Sequence, residues 1–113
     1  MKNEKPGFNL EDLTKKIFAE DEIIALAKEN SPRLLHKFRL VYPDFFEKIA
    51  AINPDLKNSE SIFCIYLKLN LSTKEIATYT FVTPKAIQNR KNRLRKKLSI
   101  PSEVDIYKWF NNL

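Results

Sequence analysis

Residues 71–101 read LSTKEIATYTFVTPKAIQNRKNRLRKKLSIP. Ser72, Thr73, Lys74 and Glu75 make a capping box, in which the Ser72 hydroxyl and the Glu75 carboxylate satisfy backbone donors reciprocally. The helix it starts is short, Thr73 to about Thr80, with Ile76 and Ala77 facing inward. Thr83-Pro84 is a second start, a capping side chain followed by Pro at the first helical position. Ser99-Ile100-Pro101 stops this second helix, so it spans Pro84 to Leu98. It carries Lys85, Arg90, Lys91, Arg93, Arg95, Lys96 and Lys97 and no acid. Ile87, Leu94 and Leu98 share its one apolar face, with Ala86 beside them. That face must dock, which turns Lys85, Gln88, Asn89, Asn92, Arg93 and Lys96 outward.

Two chemistries meet on the outward face. Lys and Arg neutralise phosphates and release counterions, which gives affinity without sequence preference. Gln and Asn read base edges, adenine N6 and N7 above all, in the major groove. A run of charge alone is usually just a solvated face. The short capped helix before it shifts the balance, because short helix, tight turn and longer helix compose a helix-turn-helix. Ala77 stands where two such helices cross closely, and Val82 and Ile87 stand where their shared core needs apolar residues. The free amides at the start of the short helix, aided by Lys74 and the helix dipole, suit a phosphate.

Outward from this stretch the chain is all helical. Asn9 caps a helix to about Glu29, with Leu10, Leu13, Ile17, Ile24 and Ala27 in a narrow apolar stripe. Ser31-Pro32 restarts a helix that buries Leu34, Leu35, Phe38 and Val41. After Tyr42-Pro43, a short helix from Asp44 to Ile52 carries Phe45, Phe46, Ile49 and Ile52. Asn53-Pro54-Asp55 ends it and is the expected domain boundary. Asn58 is expected to cap a helix to about Leu69. Ser102, with Asp105 three residues on, is expected to start a last helix with Val104, Ile106, Tyr107, Trp109, Phe110 and Leu113.

Composition agrees. A single Gly among 113 residues disfavours tight hairpins and Gly-rich nucleotide loops. With 43% apolar residues, a core can form. Residues 1–56 hold nine Lys/Arg against ten Asp/Glu, whereas residues 57–113 hold eleven against four. All the excess charge therefore sits in the second half, as a polyanion partner requires. One Cys excludes an intrachain disulfide and fits a reducing, cytoplasmic setting. No apolar run reaches the length of a membrane span, and the N-terminus has no signal-peptide core. His36 has no companions at metal spacing, and Cys64 lies in an apolar helix without a basic flank. No catalytic, cofactor, metal or small-molecule motif stands out.

Residues 69–100 resemble the LuxR/GerE-type helix-turn-helix of bacterial transcription regulators, in a pattern covering residues 56–110. Leu56 and Glu60 match its opening. Leu71, Ser72, Lys74, Glu75, Ile76 and Ala77 match its most recognisable string. Arg93-Leu94 and Lys97-Leu98 match the end of its recognition helix. The resemblance implies a four-helix DNA-binding domain, here residues 54–113, preceded by a helical arm or connector, residues 1–53, that could self-associate. It implies base reading by Gln88, Asn89 and Asn92. It implies phosphate contacts from Thr73, Lys74, Thr83, Lys85 and Arg93, to which Lys96 is added from its place on the outward face. It also implies a homodimer through the last helix, with Tyr107, Trp109 and Phe110 as contacts. This chain departs from the family at three points. Phe81 holds a turn position usually given to Gly or Asn, Thr80 stands where Leu is usual, and Lys91 where many relatives are apolar. A different class of function stays open beside it, in which residues 9–52 are a protein-interaction or dimerisation module and the basic helix is merely solvated.

Overall fold

The computed structural model describes residues 9–113. Among them are seven α-helices and no strand: α1 (Leu10–Lys28), α2 (Leu34–Val41), α3 (Pro43–Ile52), α4 (Asn58–Lys68), α5 (Thr73–Thr80), α6 (Pro84–Leu98) and α7 (Ile106–Asn111). The protein is all-α, as its periodicity predicts.

α4 is the centre of the core. Phe63, Cys64, Ile65, Tyr66 and Leu67 are all buried in succession, so more than one face of this helix is covered. A helix apolar over most of its circumference is stable only with neighbours around it. α2 and α7 lie against α4, α1 and α3 pack on α2, and α6, which carries α5, is tied to the start of α4 through the Lys97–Glu60 pair. Ile23 and Ala27 of α1, Leu34 and Phe38 of α2, and Phe45 and Ile49 of α3 share one continuous core with α4 and with Phe110 of α7. The rings of Phe45 and Phe110 lie 6.2 Å apart. The Lys48 ammonium donates to the Leu113 carbonyl at 2.8 Å. The Asn53 amide donates to the Lys97 carbonyl at 3.0 Å. The loop at residues 53–55, expected as a domain boundary, therefore bends the chain without dividing the core.

Only the first half of α1 matches the description of an arm. Asn9 caps it as expected, accepting from the Glu11 and Asp12 amides at 2.8 and 3.4 Å. Leu10, Leu13 and Ile17, the first part of the expected narrow apolar stripe, are exposed, and so is Phe18. The buried residues are Ile23 and Ala27, where α2 lies against the helix. Residues 1–8 lie outside the described residues.

Three helix starts differ from expectation for local reasons. Ser31 accepts from the Arg33 amide at 3.2 Å, which makes a turn, and α2 begins only at Leu34. Asn58 is the first helical residue of α4 rather than its cap, and the Glu60 carboxylate secures the Lys57 amide at 2.8 Å. Ser102 lies in a turn. Asp105 caps α7, accepting from the Tyr107 and Lys108 amides at 2.8 and 3.3 Å. A carboxylate satisfies two donors where the hydroxyl would satisfy one, and it complements the helix dipole.

Candidate nucleic-acid interface

The capping box forms as the sequence dictates. Ser72 Oγ accepts from the Glu75 amide at 3.0 Å, and Glu75 Oε1 accepts from the Ser72 amide at 2.9 Å. Ile76 and Ala77 are buried and hold α5 against α6. The turn between these helices passes through Phe81 at φ 60, ψ 38. Phe81 thus takes the left-handed geometry that Gly or Asn usually supplies, and its ring does not tuck into the core. The ring is 86% exposed. The conformation is held by its flanks, with the Val82 amide donating to the Ala77 carbonyl at 3.1 Å and the Thr80 hydroxyl to the Ile76 carbonyl at 2.6 Å. This is the closure of a helix at a left-handed residue, made here without glycine. Thr83 Oγ1 then accepts from the Ala86 amide at 3.1 Å and starts α6, with Pro84 at its first position.

α6 docks through Ile87, Leu94 and Leu98, all buried. Gln88, Asn89 and Asn92 are exposed on the opposite side, with Lys85, Arg90, Arg93 and Lys96 around them. The Gln88 amide reaches Asn92 Oδ1 at 3.5 Å, so these two side chains are neighbours on the surface. The structure thus brings all three expected base readers onto one face.

The seven cations of α6 divide into two groups. Lys85, Arg90, Arg93 and Lys96 are exposed and have no hydrogen-bond or ion-pair partner among the described residues. The other three serve the fold. Arg95 donates to the Pro101 and Val104 carbonyls at 3.0 and 2.8 Å, which pins the loop after α6. Lys97 pairs with Glu60 at the start of α4. Burial pushes the Glu60 carboxyl up, but the Lys97 hydrogen bond and the Lys57 amide outweigh it and hold the group below its ordinary range. Lys91 is 7% exposed. Its ammonium donates to Thr73 Oγ1 at 2.5 Å and sits 4.6 Å from the centre of the Tyr107 ring.

The other expected phosphate contacts are also placed. Lys74 is exposed at the start of α5. Thr73 and Thr83 each use their hydroxyl as an acceptor inside the protein, and each keeps one O–H to donate. Of the expected dimer contacts, Phe110 is fully buried and must be withdrawn, because its ring fills the core between Phe45 and Trp109. Tyr107 is half-buried under Lys91, and its hydroxyl donates to the Leu71 carbonyl at 2.8 Å. Trp109 is half-buried against Phe110.

Lys91, noted above as standing where many relatives are apolar, is buried on the docking side of α6, a placement the sequence reading did not assign to it. The signal was present: positions 87, 91, 94 and 98 follow helical spacing, so Lys91 falls on the docking stripe. His36 is exposed and Cys64 is fully buried, with burial, and then the Glu60 charge, pushing its thiol up to about 12. Among the described residues, no group of three or more His, Cys, Asp or Glu is placed to hold a metal, and no helix is long and apolar enough to cross a membrane.

No family model, no curated protein and no solved structure matches this chain.

Proposed function

We propose that this protein binds double-stranded DNA, with α5 and α6 acting as a helix-turn-helix of the LuxR/GerE kind and α6 entering the major groove. It would serve as the output domain of a bacterial transcription regulator. The observation that carries this reading is the sorting of side chains on α6. Lys85, Arg90, Arg93 and Lys96, around Gln88, Asn89 and Asn92, are exposed and have no partner among the described residues, whereas Lys91, Arg95 and Lys97 are engaged within the fold. A merely solvated basic face has no reason to cluster three amides among the free cations. Lys and Arg supply grip, and the amides supply the bidentate donor and acceptor pairs that distinguish bases.

Exposed Leu10, Leu13, Ile17 and Phe18 on α1 favour a second reading, a protein-interaction surface, and it is compatible with the first. With Phe110 inside the core, self-association through α1 has more apolar surface to use than self-association through α7.

The test is duplex binding as a function of salt. Lys74, Lys85, Arg90, Arg93 and Lys96 are the free cations of this region. Five phosphate contacts per protomer predict a logarithmic salt slope of about −4.5 per protomer, or a loss of roughly 500-fold between 50 and 200 mM salt. Absence of duplex binding at low salt overturns the proposal. A random-sequence selection at two salt concentrations then separates base reading from backbone grip.

A further inference from the structure

The first half of α1 is left without a neighbour. Every residue from Leu10 to Phe18 is exposed, and cover begins only at Ala19, which is half-buried. Of the seven large apolar side chains exposed among the described residues, four lie in this segment: Leu10, Leu13, Ile17 and Phe18. Leu40, Ile52 and Phe81 are scattered singly, as on any protein surface. Leu10, Leu13 and Ile17 instead follow one another at helical spacing and line one side of the helix. A free helical segment of about two and a half turns is marginal in water, because most helical stability comes from packing an apolar face.

The charges of the segment say what packs on that face. Around Leu13 the sequence runs Glu11, Asp12, Leu13, Thr14, Lys15, Lys16, with two acids before the centre and two bases after it. A two-fold contact uses the same patch on both copies, so the patch must be complementary to itself. With two copies of α1 antiparallel and crossing at Leu13, Glu11 of each comes level with Lys15 of the other. Leu10 of each then lies within one residue's rise of the other's Ile17. Glu11 and Lys15 share one edge of the stripe, where they approach to 3.7 Å within the chain, and both side chains stay exposed. Parallel pairing fails at Asp21. It is exposed and follows Ile17 by one helical turn, so in a parallel pair it would meet its own copy on the seam. Antiparallel pairing sets the two Asp21 residues about 24 Å apart along the axis, beyond the screening length at physiological salt.

We propose that α1 pairs with α1 of a second copy of this chain, antiparallel and centred on Leu13. This rests on the second reading above, that the α1 stripe is a protein-interaction surface, and it does not depend on DNA. Two segments of this length bury less than the roughly 1,200 Å² of a standard interface, so the dimer is a weak one, dissociating in the micromolar range. Its two-fold axis also relates the two α6 helices, as inverted half-sites on a duplex require.

The experiment is sedimentation equilibrium of the whole chain from micromolar to millimolar concentration. The wild type is expected to pass from monomer to dimer. Leu13→Glu sets two carboxylates together at the centre and is expected to stay monomeric. Glu11→Lys alone and Lys15→Glu alone each turn two attractive pairs into two like-charge pairs, and each is expected to weaken the dimer about tenfold. An equimolar mixture of these two variants is expected to recover at least the wild-type affinity, because every antiparallel pair in the mixed dimer is again opposite in sign. All three positions are exposed, so the fold does not depend on them. A mixture no tighter than either variant overturns the antiparallel pairing, and so does a dimer that survives Leu13→Glu. Hydroxyl-radical oxidation of Leu10, Leu13, Ile17 and Phe18 separates the remaining failures. Protection that grows with protein concentration in step with the dimer supports the proposal. A wild type that stays monomeric with these side chains readily oxidised overturns self-association and leaves the surface to another protein. A monomer in which they are protected has covered them with its own chain, and that overturns the interaction reading itself.

Discussion

Phe81 offers a test of the turn that sets the angle between α5 and α6. A non-glycine residue in the left-handed region costs about 1–2 kcal/mol, because Cβ crowds the following carbonyl. Phe81 sits at φ 60, ψ 38 with its ring 86% exposed, so packing returns little of that cost. Full burial of a Phe side chain is worth about 1.5–3 kcal/mol, which leaves roughly 0.3 kcal/mol for the covered remainder of this ring. Phe81→Ala keeps the strain and loses that remainder, so a destabilisation of only about 0.3 kcal/mol is expected. Phe81→Gly relieves the strain but adds about 0.5–1 kcal/mol of unfolded-chain entropy. The sum is a gain of roughly 0.5 kcal/mol, or about 2 °C in Tm for a chain of this size. Comparison of Ala with Gly removes the ring from the arithmetic. At an ordinary helical position Gly is the less stable of the two, whereas here Gly should be the more stable by roughly 0.7 kcal/mol. Denaturant titration of the three proteins measures this directly, and both variants should keep duplex affinity, since Phe81 is assigned no DNA contact. If Gly is less stable than Ala, position 81 is not left-handed and the turn is built differently.

Asn92→Ala should relax sequence preference and cost about 1–3 kcal/mol at a selected site, while Lys96→Ala should weaken all duplexes alike and flatten the salt slope by about 0.9; competition with scrambled duplex separates them. Arg95→Ala should leave that slope unchanged and lower stability by about 1–2 kcal/mol, because the Pro101 and Val104 carbonyls lose their donor. A steeper loss of DNA affinity than of stability in this variant would place Arg95 on the DNA instead. The Glu60 carboxyl is held below its ordinary range, so the Lys97–Glu60 pair stabilises the fold above the unfolded-state pKa and loses that contribution as pH falls through the folded one. Both side chains are partly solvated, and screening limits the effect to about 0.5–1 kcal/mol. Urea midpoints from pH 7 to pH 3 should converge for wild type and Glu60→Gln, and a constant gap across that range would exclude the linkage.

The local elements of the proposed interface follow from short stretches of sequence. Helix starts and stops are short-range chemistry: the Ser72 and Glu75 box, Thr83 with Pro84, and the left-handed Ser99 before Pro101 act over a few residues, and each is read within its own turn. The docking stripe of α6 is likewise set by helical spacing, which is why Gln88, Asn89 and Asn92 come out exposed as expected. Where two caps compete, proximity in sequence is a weaker guide, and Asp105 wins over Ser102 because an ionised carboxylate takes two amides. Tertiary structure alone decided the fate of each charge and each apolar stripe. Lys97 and Arg95 look like their neighbours in the sequence, but their partners, Glu60 and the Val104 carbonyl, are brought to them by the fold. The stripe of α1 and the ring of Phe110 are equally apolar, yet one is left exposed and the other is enclosed, since burial depends on which surface arrives opposite. Lys91 shows both sides: helical periodicity puts it on the inner face, and only the arrival of Thr73 and Tyr107 gives the buried ammonium its partners.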